Sequence, residues 1–158
     1  MSEKHWLFKA DPKDYSINDL ANEPNQTTSW DGIRNYMARN LIRDEIKKGD
    51  EILIYHSNSD PKGIVGLGEV VKSAYPDHTA LDSSSAYYDP KSSNENPIWY
   101  MVDVKLVETF IKIIDLSQLK NTKGLEKMML TQRGSRLSIQ PVKKSEWDII
   151  IKLASKLK

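Results

Sequence analysis

Residues 98–110 show the period-two alternation of a β-strand more clearly than any other part of the chain. One set of side chains is Ile98, Tyr100, Val102, Val104 and Leu106, and the set between them is Trp99, Met101, Asp103 and Lys105. Successive side chains of a strand point to opposite faces of a sheet, so the pattern predicts a strand that covers a core with one face. The fold must therefore be built around a sheet.

Three further segments are predicted to be strands, and they are spread along the chain. They are Trp6–Phe8, Glu51–Tyr55 and Ile64–Val71, each an apolar run bounded by turn residues. Gly66 and Gly68 interrupt the last run, and glycine inside a strand indicates a bulge or a close approach of another backbone.

Helical features occur between these strands and at the C-terminal end. Ser16 with Asp19 at the third helical position forms a capping-box pattern, and Pro24 ends that helix. The other predicted helices start at the cap Asp31, at residue 115 and at the cap Ser145. The helix capped by Asp31 stops at Lys47-Lys48-Gly49. Residues 25–29 and 73–97 are predicted to be loops, and the second is long enough to indicate a function.

This order of elements predicts a single α+β domain over residues 1–158. Strands outnumber helices and are not consecutive, which favours a strongly curved sheet or small barrel with helices packed outside it. A chain of 158 residues buries enough surface to fold without a metal or a disulfide.

Composition excludes several classes of protein. The chain has no cysteine, which excludes thiol nucleophiles, disulfides and cysteine zinc sites. Lys and Arg total 23 against 22 Asp and Glu, so a protein that coats phosphates along a duplex is not expected. No apolar run is long enough to cross a bilayer and the first residues do not resemble a signal peptide, so no membrane partner and a cytoplasmic location (nuclear in a eukaryote) are predicted.

The near-neutral total conceals an uneven distribution of charge. Residues 133–158 carry seven Lys or Arg against two acidic residues, whereas residues 77–108 carry six acidic residues against two Lys. Ordinary solvated surface explains each patch alone. Together they suggest a basic lip beside a binding site.

The densest functional cluster lies between Trp30 and Asn40. Trp30 stands at a predicted loop–helix junction, and Arg34 and Asn35 occupy the first turn of the helix. An indole to stack on, a guanidinium and an amide with both donors and an acceptor suit the edge of a nucleobase. The same spacing also fits a core Trp30 beside an ordinary surface Arg34.

Tyr55-His56-Ser57 ends a predicted buried strand beside a Pro-Gly turn, where side chains line a pocket mouth. A Ser–His nucleophile pair is not expected, because adjacent residues of a strand point to opposite faces. Tyr88 in the polar loop and Trp99 add aromatic surface, although Trp99 fits ordinary core packing at least as well. Stacking on a base is worth about 1–3 kcal/mol, so two or three rings are enough to hold one.

Metal and cofactor sites are not predicted. The three histidines are far apart with no HExxH spacing, and neither a phosphate-binding loop nor a dinucleotide fingerprint is present in its required context.

Taken together, these segments resemble the EVE domain, a branch of the PUA-like superfamily that includes the thymocyte nuclear protein family and bacterial single-domain proteins. The matching stretches follow one another along nearly the whole chain: residues 6–12, 28–40, 48–50, 55–57, 63–66, 74–77, 87–89, 99–104 and 136–142. Three positions depart from the family pattern. Ala10 and Asp11 stand where Ser and Glu are usual, and Met37 stands where Gln is usual.

The resemblance implies a PUA-like pseudo-barrel of about five or six strands that reads a modified base, such as methylated or hydroxymethylated cytosine, in DNA or RNA without catalysis. The extruded base would stack on Trp30, with Tyr88 or Trp99 as a second ring. The implied base-contacting set is Lys9, Trp30, Arg34, Asn35, Tyr55, His56, Ser57, Tyr88 and Trp99, and the implied basic lip is Arg39, Arg136 and Ser138.

Three other functions remain open at this point. The domain can be a module for structured or modified RNA such as tRNA, since PUA-like domains often bind RNA. It can be a nucleoside enzyme that uses His56 with Ser57 or Asp103, although no matched acid–base pair is visible. It can also be a protein-interaction domain. A monomer is expected.

Overall fold

The computed structural model describes residues 4–134 and 136–156, which contain six strands and four α-helices. The strands are β1 (His5–Ala10), β2 (Thr27–Trp30), β3 (Glu51–His56), β4 (Gly63–Pro76), β5 (Tyr100–Asp115) and β6 (Ile139–Val142). The α-helices are α1 (Ile17–Ala21), α2 (Tyr36–Asn40), α3 (Leu116–Lys120) and α4 (Lys144–Ser155). Shorter 3₁₀ turns occupy Pro24–Gln26, His78–Leu81 and Met129–Thr131.

All six strands form one sheet in the order β2-β5-β4-β3-β1-β6. Only β1 and β3 run parallel, and the other neighbouring pairs are antiparallel. Within the described residues the end strands β2 and β6 do not pair with each other, so the sheet curves without closing into a barrel. This confirms the predicted α+β fold on a curved, barrel-like sheet of about six strands.

Bulges in the long pair β4 and β5 supply the curvature. The register of this pair shifts at four places, beginning between Ile64 and Gly66. A Cβ atom on Gly66 would lie 2.4 Å from the carbonyl oxygen of Glu108, so the backbones meet too closely for a side chain. The predicted close approach at this glycine is confirmed, and such bulges bend a strand.

Apolar side chains cover both faces of the sheet. Trp6 and Phe8 of β1 join one buried cluster with α1, α2 and Trp30, whereas Leu7 joins a second cluster with Trp147 of α4. Strand β3 alternates in the same way. The sheet therefore lies between two cores, and a site can form only at its edges or strand ends.

Helix starts were predicted with mixed success. Ser16 caps α1 in a complete capping box with Asp19, as predicted. The cap of α2 is Asn35 and not Asp31, because residues 31–34 form no regular structure and Gly32 has a positive φ. Helix α2 then continues as a π-helical turn over Leu41–Glu45. The C-terminal helix begins before Ser145, and Glu146 accepts the Lys143 N–H at 2.9 Å.

The predicted loop at residues 25–29 is partly wrong. Thr27–Trp30 pairs with β5 as an edge strand, with Trp30 opposite Val102, so Trp30 ends a strand and Arg34 precedes the helix. In the long loop, β4 extends to Pro76 and the rest packs back on the domain. None of the helices in the described part of the chain is long and apolar enough to span a bilayer.

Candidate functional site

A cavity of about 540 Å³ opens beside the end of β2. We call it the Trp30 cavity, and this volume is within the usual range for a small planar ligand. Its walls come from four separate segments of the chain. They are formed by Lys9, Ala10, Asp11, Asp14, Tyr15, Glu23, Thr28, Ser29, Trp30, Asp31, Gly32, Ile33, Tyr87 and Ser138.

Trp30 is a fixed inner wall of this cavity. Its side chain is only 8% exposed and belongs to the core cluster. The ring meets Phe8 at a centroid distance of 5.3 Å and Tyr15 at 6.4 Å, both edge to face. The indole is thus held by its neighbours and offers a ligand a narrow margin of its surface, less than the open stacking face expected from sequence.

Tyr87 supplies the exposed ring at the mouth of the cavity. Its side chain is 40% exposed, and the ring packs directly on Gly32, where a Cβ atom would lie 2.7 Å from the Tyr87 Cζ. Gly32 has a φ of +78°, a conformation that favours glycine. Arg34 fixes the same tyrosine, because its guanidinium donates to the Tyr87 carbonyl oxygen at 2.9 and 2.6 Å and lies over the ring.

Asp77 joins the two loops that form this mouth. The carboxylate is 2% exposed and accepts from Gly32 N–H at 2.9 Å, from Arg34 Nη1 at 3.0 Å and from Thr79 N–H at 2.8 Å. Burial opposes its ionisation, but these hydrogen bonds outweigh it and hold the pKa of Asp77 below its usual value. The carboxylate is therefore ionised and anchors the loops.

The cavity carries both acceptors and a cation. Tyr15 donates its hydroxyl to Glu23 at 2.7 Å, and burial raises the pKa of Tyr15 to about 12, so the phenol stays protonated. Burial and then the charge of Asp77 raise the pKa of Asp31. Burial and then the charge of Lys62 lower the pKa of Lys9. The carboxylates can accept hydrogen bonds from an amine of a ligand, and Lys9 can donate a hydrogen bond to a carbonyl of the ligand.

A second and larger depression of about 1040 Å³ adjoins the first. We call it the basic cleft, since its charged groups are Lys9, Lys62, Lys120, Arg133 and Arg136 with Glu126 as the one acidic side chain. Tyr55, Ser57 and Ser138 also line it. Lys9 and Ser138 belong to both depressions and connect them.

Several predicted site residues lie elsewhere. Trp99 is buried, donates its Nε1–H to Asp89 at 2.7 Å and packs on Tyr36, and Arg39 donates to the Ile98 carbonyl at 2.7 Å. The oxygen of the Asn35 side chain accepts from Ala38 N–H as the cap of α2. These residues do not line the Trp30 cavity, and neither does Tyr88, which is 44% exposed.

His56 supports the fold. Its Nε2 accepts the backbone N–H of Ile17 at 3.1 Å, at the start of α1, and burial lowers the pKa of this histidine. The lone pair that a general base needs is thus already used. Ser57 faces the basic cleft, and its N–H donates to the Ala10 carbonyl oxygen.

The sequence alone did not single out Tyr15, Asp31, Asp77 or Tyr87 for their roles. Asp77 and Tyr87 lie within stretches that match the family pattern, but only contact with Gly32 and Arg34 reveals what they do. Of the predicted set, Lys9, Trp30 and Ser138 meet in the Trp30 cavity, and Lys9, Tyr55, Ser57, Arg136 and Ser138 meet in the basic cleft.

Comparison with known proteins places this site in a family context. A profile of the EVE domain matches residues 4–153. Human thymocyte nuclear protein 1 (THYN1) is 43% identical over an alignment that covers 96% of this chain and 74% of that protein.

Solved structures give the same result. The crystal structure of human THYN1 in complex with DNA containing 5-methylcytosine superposes with a TM-score of 0.89 at 43% identity, covering 96% of this chain and 98% of that one. A hypothetical protein from Leishmania major reaches 0.90 at 45% identity, covering 98% of this chain and 96% of that one. The chain therefore belongs to the EVE domain family.

Proposed function

We propose that this domain binds nucleic acid that carries a modified cytosine, holding the base in the Trp30 cavity without catalysis. The observation that carries the proposal is a cavity with aromatic walls, carboxylate acceptors and a lysine, opening onto a cleft of five cations. The complex of THYN1, a relative at 43% identity, with DNA containing 5-methylcytosine supports the choice of base.

The polar groups of the cavity match the edge of cytosine. Cytosine presents an exocyclic amine, which can donate hydrogen bonds to Asp or Glu, and acceptor atoms on the remainder of its polar edge. Asp31 or Glu23 would accept from the amine, and Lys9 would donate to an acceptor atom. The ring of Tyr87 would cover the base, which costs little because Gly32 and Arg34 already hold that ring.

The other residues of the predicted set take different parts in this proposal. Lys9, Arg136 and Ser138 would contact the nucleotide or its phosphates. Arg34 acts by positioning Tyr87, and Asn35, Arg39 and Trp99 support the segment behind it. Tyr88 has no assigned contact with the base. A monomer in the cytoplasm, or in the nucleus of a eukaryotic cell, stays a prediction.

Fluorescence anisotropy with short strands of one sequence tests this function. The strands carry cytosine, 5-methylcytosine or 5-hydroxymethylcytosine at one position, in DNA and in RNA. We expect a modified DNA strand to bind more tightly than its parent. Tyr87→Ala should weaken that binding roughly tenfold, the value of one stacked ring. Tyr88→Ala is the matched control and should leave it unchanged.

Two outcomes contradict the proposal, and a third decides between DNA and RNA as the ligand. Equal affinity for all bases removes the reader function, and tighter binding of the RNA strands assigns the domain to RNA through the 2′-hydroxyl. A modified nucleoside that disappears on incubation, followed by mass spectrometry, would make the protein an enzyme.

A further inference from the structure

Four cations of the basic cleft form no ion pair in the described part of the chain. Lys62, Lys120, Arg133 and Arg136 are exposed, and within residues 4–134 and 136–156 none of the four lies within ion-pair distance of a carboxylate. Lys9 lies deeper, close enough to Lys62 for the two charges to disfavour one another. Like charges that converge on an open depression favour an anionic ligand.

The charged groups that line the Trp30 cavity are one lysine and several carboxylates. Lys9 and Ser138 connect it to the basic cleft. Four carboxylates stand around the rest of its lining, namely Asp11, Asp14, Glu23 and Asp31. Arg34 offsets them only in part, because its guanidinium hydrogen-bonds Asp77 and the Tyr87 carbonyl. We call these four carboxylates the acidic rim, and like charges of this kind disfavour the approach of a phosphate.

We propose that the nucleic-acid strand leaves the Trp30 cavity in one direction only, over Lys9 into the basic cleft. Lys62, Lys120 and Arg133 then bind successive phosphates on one side of the recognised nucleotide, and the strand on its other side makes no charged contact. This inference rests on the proposed function, since it takes the base in the cavity as the start of the path. The ligand class is a single-stranded polynucleotide.

Strands with one flank test the direction. Single-stranded DNA carries 5-methylcytosine at its 5′ end, at its 3′ end or in the middle of a thymidine flank. Of the two strands with 5-methylcytosine at an end, we expect one to bind within about twofold of the strand with 5-methylcytosine in the middle. The other should bind no better than a 5-methylcytosine dinucleotide. Equal contributions from the two flanks would overturn the proposal.

Charge removal tests the cleft residues themselves. The variant with Lys62→Gln, Lys120→Gln and Arg133→Gln should lose the advantage of the favoured flank. It should also flatten the slope of log affinity against log salt by about 2, because each phosphate contact on a single strand contributes about 0.7. The control variant replaces Lys105, Lys112 and Lys152 by Gln, three exposed lysines outside both depressions.

The two proposals fail in different ways. If the cleft variant and its control lose affinity equally, the cleft is not the phosphate site, whether or not the protein prefers 5-methylcytosine. If a one-sided flank effect is present but cytosine and 5-methylcytosine bind equally, the strand path holds and the reader function is wrong. Circular dichroism of each variant confirms that it is folded before these affinities are compared.

Discussion

At the level of single residues, the mouth of the Trp30 cavity depends on Gly32, which has no side chain. Gly32 lets the Tyr87 ring lie against the backbone, and its φ of +78° is one that other residues adopt at a cost. Ala10 also lines the cavity and contributes only a methyl group. The shape of the cavity is therefore set by small residues that leave room for the ring and the ligand.

Gly32→Ala is expected to displace Tyr87 and weaken binding of 5-methylcytosine DNA. The new Cβ would stand within 2.9 Å of three atoms of the ring, so the ring must move. The left-handed backbone adds a cost of about 1–2 kcal/mol to folding. Anisotropy titrations with modified and unmodified strands should show a smaller ratio between the two affinities.

Gly134→Ala is the matched control for this change. Gly134 has a nearly equal φ of +76°, but a Cβ there meets nothing within 4 Å. Because Gly134 lines the basic cleft, the ratio of the affinities for modified and unmodified strands is compared and not the affinity itself. Gly32→Ala should lose at least as much stability as Gly134→Ala in urea unfolding, while only Gly32→Ala loses discrimination between bases. A Gly32→Ala protein that discriminates as well as the native one would show that the position of Tyr87 is unimportant.

Among the elements, two loops distant in sequence are joined by one buried carboxylate. Asp77 accepts hydrogen bonds from the chain at Gly32 and Arg34 and from Thr79 at the start of a 3₁₀ turn. This carboxylate has its pKa lowered in the folded state, so its contribution to stability is complete above the unfolded pKa near 4 and disappears as pH falls through the lower, folded value.

Asp77→Asn is therefore expected to destabilise the protein by roughly 2 kcal/mol at pH 7, the value of hydrogen bonds to a charged group. Urea unfolding of native and variant protein between pH 7 and pH 3 measures the difference. The difference in the free energy of unfolding between the native protein and the variant should become smaller only below about pH 4. Glu95→Gln, at an exposed carboxylate that accepts no hydrogen bond from the described residues, is the control and should leave the free energy of unfolding nearly unchanged at every pH. A gap independent of pH would contradict the role of the charge.

The elements also show where sequence patterns were sufficient. β5 and the capping box of α1 were predictable because the alternation and the Ser16–Asp19 pair are local signals. β2 was not, since Thr27, Thr28 and Ser29 are polar and only half buried, and their pairing with β5 joins segments far apart in sequence. Asp31 and Asn35 are equally good caps, and the tertiary bond between Arg34 and Asp77 decides between them.

For the whole molecule, the site is an assembly of segments that no local pattern connects. Lys9, Tyr15, Trp30, Tyr87 and Ser138 meet only because the sheet curves. The curvature brings the ends of β1 and β2, which lie four strands apart in the sheet order, together with two loops. The family resemblance predicted a base reader with Tyr88 or Trp99 as the second ring, whereas the aromatic side chain that lines the mouth of the cavity is Tyr87. Tyr87 and Tyr88 are adjacent, alike and both exposed, so only their three-dimensional contacts separate them.

The uneven charge of the molecule leads to a last prediction, that the acidic rim limits binding to unmodified strands. The formal charge is only +1, so attraction to phosphate comes from the cleft and is opposed at the rim. Asp14→Lys should raise the affinity for an unmodified strand several-fold at low salt and reduce the preference for 5-methylcytosine. Since exposed charges are screened, the gain should disappear above about 0.5 M salt.

Glu95→Lys makes the same change of charge at an exposed position that lines neither the cavity nor the cleft. Anisotropy titrations of both variants across a salt series compare the two positions. If Glu95→Lys raises affinity as much as Asp14→Lys does, net charge alone governs attraction to the strand. A larger effect at Asp14 means that the rim carboxylates repel phosphate locally, and selectivity then depends on where the charges lie as well as on the contacts to the base.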